Sequence, residues 1–225
     1  AMPSAQEGWA VGGAFLSRMD SFGHTLQMTP ENGLIWHYTA GNWVSFASTA
    51  QPLLNLSMTS ANEGWAVGYA GTLLHYAGSA WTSVSSPTQL LLTAVTALSA
   101  NDVWAVGFAG VILHYDGVSW SRVPSPTSTN LRSISLFSPD DGWIVGDRGT
   151  LLHYHNHLWQ PVSSPTNETL YRVEMLSTDE GWAVGANETI LHYRAGVWYT
   201  VGTPGNFGIA NLYGSTSLHI FYDIG

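Results

Sequence analysis

Five histidines recur at one position of the sequence, each directly before a tyrosine, and their side chains are the first to consider for chemistry. They are His37, His75, His114, His153 and His192. Imidazole is a frequent metal ligand and a general base near neutral pH, so a regular array of five raises the question of a metal centre. A zinc ion requires each ligand nitrogen within about 2.1 Å, which only side chains that converge on one point can satisfy.

Carboxylates are the second group of residues that could do chemistry. Glycoside hydrolysis needs two of them about 5 to 9.5 Å apart, and Glu174, Asp147 and Glu188 are the catalytic candidates for this alternative. A sialic acid site also needs arginines that clamp the substrate carboxylate, and no three arginines occupy equivalent positions of the sequence. The chain has no cysteine, which excludes disulfides, thiolate metal sites and cysteine nucleophiles.

These residues are positioned by a repeat of 39 residues. Tryptophan falls at positions 65, 104, 143 and 182, and a His-Tyr pair follows each of them ten residues later. A second tryptophan follows each histidine by six residues. A fifth copy opens the chain, but 28 residues separate Trp9 from His37, which indicates an 18-residue insertion. Ten of the eleven tryptophans therefore occupy two phases of the repeat, and only Trp36 is out of step.

Each repeat predicts four short strands, which we name A to D. In one copy, strand A covers residues 131–137, strand B 143–146 and strand C 150–154, and strand D begins at Trp159. Period-two alternation, β-branched residues and the short spacing leave no room for helices. Four strands in about 40 residues are typical of a β-propeller blade. The sequence therefore predicts an all-β fold, a five-bladed β-propeller with four-stranded antiparallel blades.

The predicted blades together form a single domain over residues 1–225. They cover about 9–50 plus 205–222, 51–88, 89–127, 128–166 and 167–204. The first blade begins at a strand B, and residues 207–213 align with strand A of the other copies. We therefore expect the C-terminal strand to complete blade one and close the ring, which removes exposed sheet edges. Residues 217–222 align with a further strand B that has no place in this scheme.

The repeat also resembles known families. The unit Gly-Trp-Ala-Val-Gly, then Gly-Thr-Leu-Leu-His-Tyr, then Gly-X-X-Trp is similar to bacterial propeller repeats of the photosystem II assembly-factor type. More loosely, it resembles the Asp-box (BNR) repeats of sialidase-like proteins, whose turn between strands C and D carries Ser-X-Asp-X-Gly-X-X-Trp. Of that box, only Asp116 keeps the aspartate here. The resemblance covers nearly the whole chain and implies the propeller fold.

In a propeller the repeated residues belong to the scaffold. Equivalent imidazoles on the third strand of each blade would lie on the order of 10 Å apart or more, too far to share one ion. We expect each imidazole to bond a turn or a neighbouring blade, because buried polar groups find partners. The two tryptophan phases are expected to pack blade against blade. Neither a metal nor a cofactor is predicted.

Residues that differ between the copies are the candidates for ligand binding. Loops between strands B and C share one face of the predicted disc with those between D and A, and the insertion, near residues 13–31, marks that face. The short B-to-C loops of the other four copies, on the same face, are Tyr69-Ala70, Phe108-Ala109, Asp147-Arg148 and Asn187-Glu188. On strand A, Arg172 and Glu174 stand two residues apart on one face, where a lining role and an internal ion pair are both open. The ligand-binding candidates are Phe15, Arg18, Asp20, Phe22, His24, Tyr69, Phe108, Asp147, Arg148, Tyr171, Arg172 and Glu174.

The amino-acid composition argues against two classes of protein, those that bind nucleic acids and those that span a membrane. Charged residues make up 9% of the chain, and six cations against 15 carboxylates give a net charge of −9. Such a chain cannot neutralise phosphates with a basic face, so nucleic-acid binding is not expected. No apolar run reaches the roughly 18 residues of a membrane span.

We predict a non-catalytic binding or interaction propeller, located outside the cell or on its surface, that presents its insertion-bearing face to a protein or glycan ligand. A glycoside hydrolase of sialidase-like or arabinanase-like type is one alternative. A scaffolding module of a larger protein is another. The abrupt start before a strand suggests a domain of a longer protein. The family resemblance implies a bacterial protein, which we expect to be secreted and monomeric.

Overall fold

The chain consists of β-strands joined by short turns. A computed structural model describes Met2 and residues 7–19 and 25–201, with the backbone alone at 14–19 and 25–31. Nineteen strands in this part form one three-stranded and four four-stranded antiparallel sheets. The only helical elements described are three 3-10 turns of three residues each. The predicted all-β class is confirmed, and five sheets agree with five blades.

In each sheet the strands lie side by side in the order in which they occur in the sequence. Sheet 1 contains β1 (Gly8–Met19), β2 (Thr25–Thr39) and β3 (Asn42–Thr49). Sheet 2 contains β4 (Leu53–Ser60), β5 (Glu63–Gly68), β6 (Leu73–Ala77) and β7 (Trp81–Ser83). Sheet 3 contains β8 (Leu92–Ser99), β9 (Asp102–Gly107), β10 (Ile112–Tyr115) and β11 (Trp120–Arg122). Sheet 4 contains β12 (Leu131–Ser138), β13 (Asp141–Gly146), β14 (Leu151–His155) and β15 (Leu158–Pro161). Sheet 5 contains β16 (Leu170–Ser177), β17 (Glu180–Gly185), β18 (Ile190–Arg194) and β19 (Val197–Thr200).

The second strand of each four-stranded sheet is apolar along nearly its whole length rather than alternating. In β5, β9 and β13 every residue after the first is buried. A strand loses its alternation when both faces of its sheet are covered, so these strands form the centre of the core. The glycine that ends each of them is required by close packing. At Gly146, for example, a Cβ atom would overlap the carbonyl of Asn130.

Two compact units divide the chain, Ala1–Val123 and Pro124–Gly225. The first unit contains sheets 1 to 3 and holds its core around Trp9 and Trp65. The second contains sheets 4 and 5 and holds its core around Trp143 and Trp198. Each core is built from residues of two neighbouring sheets, as blade-to-blade packing requires.

The insertion in the first copy is a β-hairpin rather than a loop. β1 and β2 pair from Gly8 opposite Tyr38 through Gly13 opposite Gly33, and then continue outward through the inserted residues. Irregularities interrupt the register twice, after Gly13 and before Met19. The expected loop at 13–31 was therefore wrong, because the inserted segments find backbone partners in each other.

Sheet 1 has three strands among the described residues. The segment 207–213, expected to add its fourth strand, lies outside the described residues, as does the additional strand expected at 217–222. Ring closure and the single-domain boundaries stay predictions.

Candidate functional site

Each repeated histidine lies flat against the tryptophan of strand B in its own sheet. The ring centroids are 4.2 Å apart for Trp9 and His37, and 4.0 Å apart for Trp182 and His192, with nearly parallel planes. The same stack occurs in sheets 2, 3 and 4. The five imidazoles thus have equivalent packing partners, which is the behaviour of scaffold residues.

A carboxylate at the start of strand B holds the histidine in place. The Nε2 atom of His114 lies 2.9 Å from Asp102, and that of His153 lies 3.1 Å from Asp141. Glu63 in sheet 2 makes the same bond to His75, and in sheet 5 a carboxylate oxygen of Glu180 lies 3.4 Å from His192 Nε2 as a looser ion pair. The predicted partner, a turn or a neighbouring blade, was wrong. The true partner lies on the adjacent strand of the same sheet.

This carboxylate was missed although the sequence carries a signal for it. An acidic residue stands two positions before each strand B tryptophan: Glu7, Glu63, Asp102, Asp141 and Glu180. A carboxylate that accepts a hydrogen bond from an imidazole also fixes its tautomer and orientation. Within the described residues no group of three or more His, Asp or Glu side chains is arranged to hold a metal ion.

The tryptophans pack sheet against sheet, as predicted. Within the first unit, Trp65 contacts Tyr115 and Trp120 of the next sheet at centroid distances of 4.8 and 5.1 Å. Within the second unit, Trp143 contacts Tyr193 and Trp198 at 4.8 and 5.3 Å. The tryptophan pairs meet nearly edge to face, which is a favoured aromatic geometry.

Polar side chains on strand A have a structural use that the sequence did not reveal. Asn55 Oδ1 accepts a hydrogen bond from the backbone N–H of Val95, 3.0 Å away in the neighbouring strand A. Ser133 and Ser135 accept from the backbone N–H groups of Val173 and Met175 in the same way. These bonds satisfy backbone groups that would otherwise be buried without partners. The strand A positions are therefore part of the scaffold in sheets 2 and 4.

Sheet 5 replaces those acceptors with a charged pair. Arg172 and Glu174 occupy the positions of Ser133 and Ser135, and their charged groups lie 3.8 Å apart. The side chains are 32% and 42% exposed, so the ion pair is worth little to stability. The ion pair expected as one possibility is present, and the lining role stays a prediction.

The short B-to-C turns share one backbone conformation. The first residue of each donates its N–H to the carbonyl that precedes strand A, as Asp147 does to Asn130 at 2.9 Å. The second residue has a left-handed φ: Ala70 at 51°, Ala109 at 53° and Arg148 at 56°. In sheet 5 the first residue by this criterion is Ala186. The predicted pairing of Asn187-Glu188 with Asp147-Arg148 was therefore one residue too late.

Asp147 forms the centre of a polar cluster in the second unit. Its carboxylate accepts hydrogen bonds from Arg132 Nε at 2.7 Å and Nη2 at 3.1 Å, and from Asn130 Nδ2 at 2.8 Å. Partial burial raises the pKa of Asp147, but the hydrogen bonds and the charge of Arg132 outweigh it and hold the pKa below its usual value. Asp147 is therefore ionised at neutral pH, and it serves as an anchor rather than as a proton donor.

That electrostatic state argues against Asp147 as the general acid of the catalytic alternative. A glycosidase acid needs a carboxyl group with a raised pKa, and the pKa of Asp147 is lowered. Glu174 pairs with Arg172 on the same strand, β16 of sheet 5. Glu188 lies exposed in the B-to-C turn of that sheet.

The remaining binding candidates are dispersed. Tyr69 and Phe108 are half-buried first residues of their turns, and Tyr171 is half-buried on β16. Phe15 and Arg18 belong to β1, the first strand of the hairpin. Asp20, Phe22 and His24 lie outside the described residues. Of the twelve candidates, the structure brings together Asp147 with Arg148, as chain neighbours, and Arg172 with Glu174.

Arg148 lines an open cleft in the second unit. The cleft has a volume of about 340 Å³ and lies between the turn at Arg148 and the linker that follows β15. Threonine, serine and proline account for half of the residues that line it. The aligned residues of the other short turns are Ala70, Ala109 and Asn187, so the arginine is particular to this sheet.

The Asp-box aspartate serves its own turn. Asp116 accepts hydrogen bonds from the backbone N–H groups of Val118 and Ser119, both at 2.9 Å. These bonds, that from Ser119 foremost, lower the pKa of Asp116.

No protein-family model matches the sequence, and neither does any curated protein. Solved structures do match it in fold. A structure described as YCF48 bound to D1 peptide aligns with a TM-score of 0.58 at 16% identity, covering 77% of this chain and 62% of that one. YCF48 from Cyanidioschyzon merolae aligns at 0.59 and 14%, covering 74% and 62%. The WD40 repeats of RRP9 align at 0.62 and 11%, covering 82% and 64%.

These similarities show the fold of propeller repeat proteins. The chain spans somewhat less than two thirds of the length of each of the three structures. They do not support the looser Asp-box resemblance or a bacterial origin in particular. The described part of the chain contains no helix of the length and hydropathy that a membrane crossing needs.

Proposed function

We propose that this chain is a non-catalytic interaction module that binds a protein segment through the B-to-C ends of its sheets, including the β1–β2 hairpin. One observation carries the proposal: the polar and aromatic residues that recur are engaged in scaffold contacts, whereas the B-to-C ends differ from sheet to sheet. The Trp-His-carboxylate stacks and the strand A hydrogen bonds are examples of such contacts. Recognition then falls to the positions without a repeated structural duty.

The solved structures favour a protein ligand. One YCF48 structure was determined with a bound D1 peptide, and the RRP9 structure consists of WD40 repeats. A similar scaffold in this chain is suited to the same kind of ligand, an extended peptide segment. The expected glycan ligand has no such support, nor do the monomeric state and membership of a longer protein. A location outside the cell or at its surface is part of the proposal.

Ring closure is a further part of the proposal. Residues 207–213 would add the missing strand A to sheet 1, next to β1, because that edge has no partner strand among the described residues. Removal of residues 205–225 is then expected to increase amide hydrogen exchange in β1. Unchanged protection of β1 would rule out this closing strand.

The binding proposal is tested with a peptide selected on the whole chain. Random peptides displayed on phage are selected against the full chain, and the affinity of a synthetic selected peptide is measured by fluorescence anisotropy. Replacement of residues 15–29 by a short glycine turn should weaken binding at least tenfold while leaving the far-UV circular dichroism of the sheets in place.

The control alters the opposite ends of the sheets. Val118 is 86% exposed in a C-to-D turn, so Val118→Ala should bind the selected peptide like the parent chain. Equal binding by the parent and the hairpin variant would reject the hairpin as part of the binding surface.

A further inference from the structure

The cleft beside Arg148 has the composition of a small polar binding site. Its floor is formed by Leu151 and Leu152, and Ser164 and Thr166 line its wall together with Arg148. All of these residues belong to the second unit. No aromatic ring is among the residues that line the cleft, so it offers no surface on which a sugar ring could stack.

The turn does not need arginine for its own structure. Ala70 and Ala109 adopt the same left-handed conformation at the equivalent positions, with φ values within 5° of the 56° of Arg148. Asn187, the equivalent residue in sheet 5, has a φ of 50°, so the left-handed conformation belongs to the repeated turn and does not depend on the side chain. The turn therefore leaves the exposed side chain of Arg148 available to a ligand in the cleft.

Asp147 does not account for Arg148 either. Although the charge of Arg148 acts on Asp147, the carboxylate already accepts three hydrogen bonds, two from Arg132 and one from Asn130. Arg132 of β12 and Asn130 of the linker before it therefore hold the Asp147 carboxylate in place without Arg148.

Two hydroxyl groups in the cleft are oriented by the backbone. Ser164 Oγ accepts a hydrogen bond from the N–H of Thr166 at 3.3 Å, and Thr166 Oγ1 accepts from the N–H of Glu168 at 3.0 Å. An oxygen that accepts a backbone N–H keeps its own hydrogen for donation. The same two hydroxyl positions recur in the linkers after β7 and β11. The wall of the cleft thus combines two repeated hydroxyl donors with a guanidinium group that only this turn supplies.

We propose that this cleft binds a carboxylate of an extended peptide, with the guanidinium of Arg148 as the cation and the hydroxyls of Ser164 and Thr166 as additional donors. Guanidinium matches a carboxylate with two parallel N–H donors. The inference rests on the proposed function and gives it a ligand chemistry. The carboxylate belongs either to an acidic side chain or to a peptide C-terminus, since both present the same group.

The test uses three synthetic peptides and the full chain, labelled with ¹⁵N. Acetyl-Ala-Glu-Ala-amide supplies a side-chain carboxylate, acetyl-Ala-Ala-Ala with a free C-terminus supplies a terminal one, and acetyl-Ala-Gln-Ala-amide is neutral. Titrations follow the NMR signals of the Arg148 Nε–H and the Gly149 amide. We expect saturable shifts with one or both carboxylate peptides and none with the neutral peptide.

Variants identify the groups responsible. Arg148→Ala should weaken binding of the carboxylate peptide about tenfold or more, and its fold is secure because alanine occupies this turn position in sheets 2 and 3. Arg122→Ala removes the same charge from an exposed site of the first unit and should leave the affinity unchanged. A double variant with Ser164→Ala and Thr166→Val should weaken binding less than Arg148→Ala does.

Equal shifts with the neutral peptide, or equal affinity of Arg148→Ala and the parent, would overturn the carboxylate site. If neither carboxylate peptide shifts the signals while the phage-selected peptide still binds in a hairpin-dependent way, only the cleft proposal is rejected. If the carboxylate peptides bind but the hairpin variant binds its selected peptide normally, the cleft stands and the hairpin proposal is rejected.

Discussion

Truncation of one interior tryptophan should destabilise the second unit strongly. Trp143 is 1% exposed, stacks on His153 at 4.3 Å and meets Trp198 edge to face at 5.3 Å. An indole ring that buries about 150 to 250 Å² contributes about 4 to 6 kcal/mol at about 25 cal/mol per Å². Measured tryptophan-to-alanine changes in cores fall at about 3 to 5 kcal/mol. We therefore expect Trp143→Ala to lower the free energy of unfolding by about 4 kcal/mol.

The assay is equilibrium urea denaturation followed by far-UV circular dichroism, because fluorescence would report the lost indole itself. Tyr199→Ala is the matched control: it removes an aromatic ring from the same unit, but one that is 53% exposed, and should cost less than about 1 kcal/mol. If the two variants differ by less than about 1 kcal/mol, the packing of sheet 4 against sheet 5 through Trp143 is refuted.

Three further changes probe the scaffold. Ser135→Ala removes the acceptor of the Met175 N–H in a buried site and should cost about 1 to 3 kcal/mol in urea denaturation; a change below about 0.3 kcal/mol would show that the bond is not needed. Because the folded-state pKa of Asp147 is depressed, its stabilisation is present above about pH 4 and is lost as the pH falls through the lower folded value. Asp147→Asn should thus flatten the loss of thermal stability between pH 5 and pH 2, and unaltered pH curves would contradict this. Gly149→Ala should destabilise far more than Gly196→Ala, since a Cβ at 149 overlaps a backbone carbonyl and one at 196 meets nothing within 4 Å; similar melting temperatures would count against the close approach at Gly149.

The strands and the tryptophan packing were predictable because they follow from periodicity alone. A 39-residue period fixes which residues are equivalent, and equivalent apolar residues must have equivalent surroundings. Trp65 and Trp143 accordingly contact the same kinds of partner in their respective units. The equivalence of these residues could be predicted without any interatomic distance.

Partner identities were less predictable because they depend on register. The partner of His153 is Asp141, which lies 12 residues away in sequence but diagonally opposite across the antiparallel pair β13–β14, two residues from the directly paired Trp143. The hydrogen bonds accepted by Ser133 depend on how close two strands of different sheets approach. The alternation of apolar residues along one strand reveals neither the register between strands nor the distance between sheets. The carboxylate was therefore overlooked, and the serines were compared only as lining residues.

Two arginines of sheet 4 show how the scaffold and the candidate site can be separated. Arg132 is at a strand position and donates two hydrogen bonds to Asp147, so its removal would leave a half-buried carboxylate without its main donor and would reduce stability. Arg148 is exposed at a turn position that alanine fills elsewhere, so its removal should leave stability within about 0.5 kcal/mol. A residue whose loss changes binding without changing stability is a recognition residue. The pair therefore allows the two roles to be measured side by side, with Arg132→Ala affecting urea denaturation and Arg148→Ala affecting carboxylate affinity.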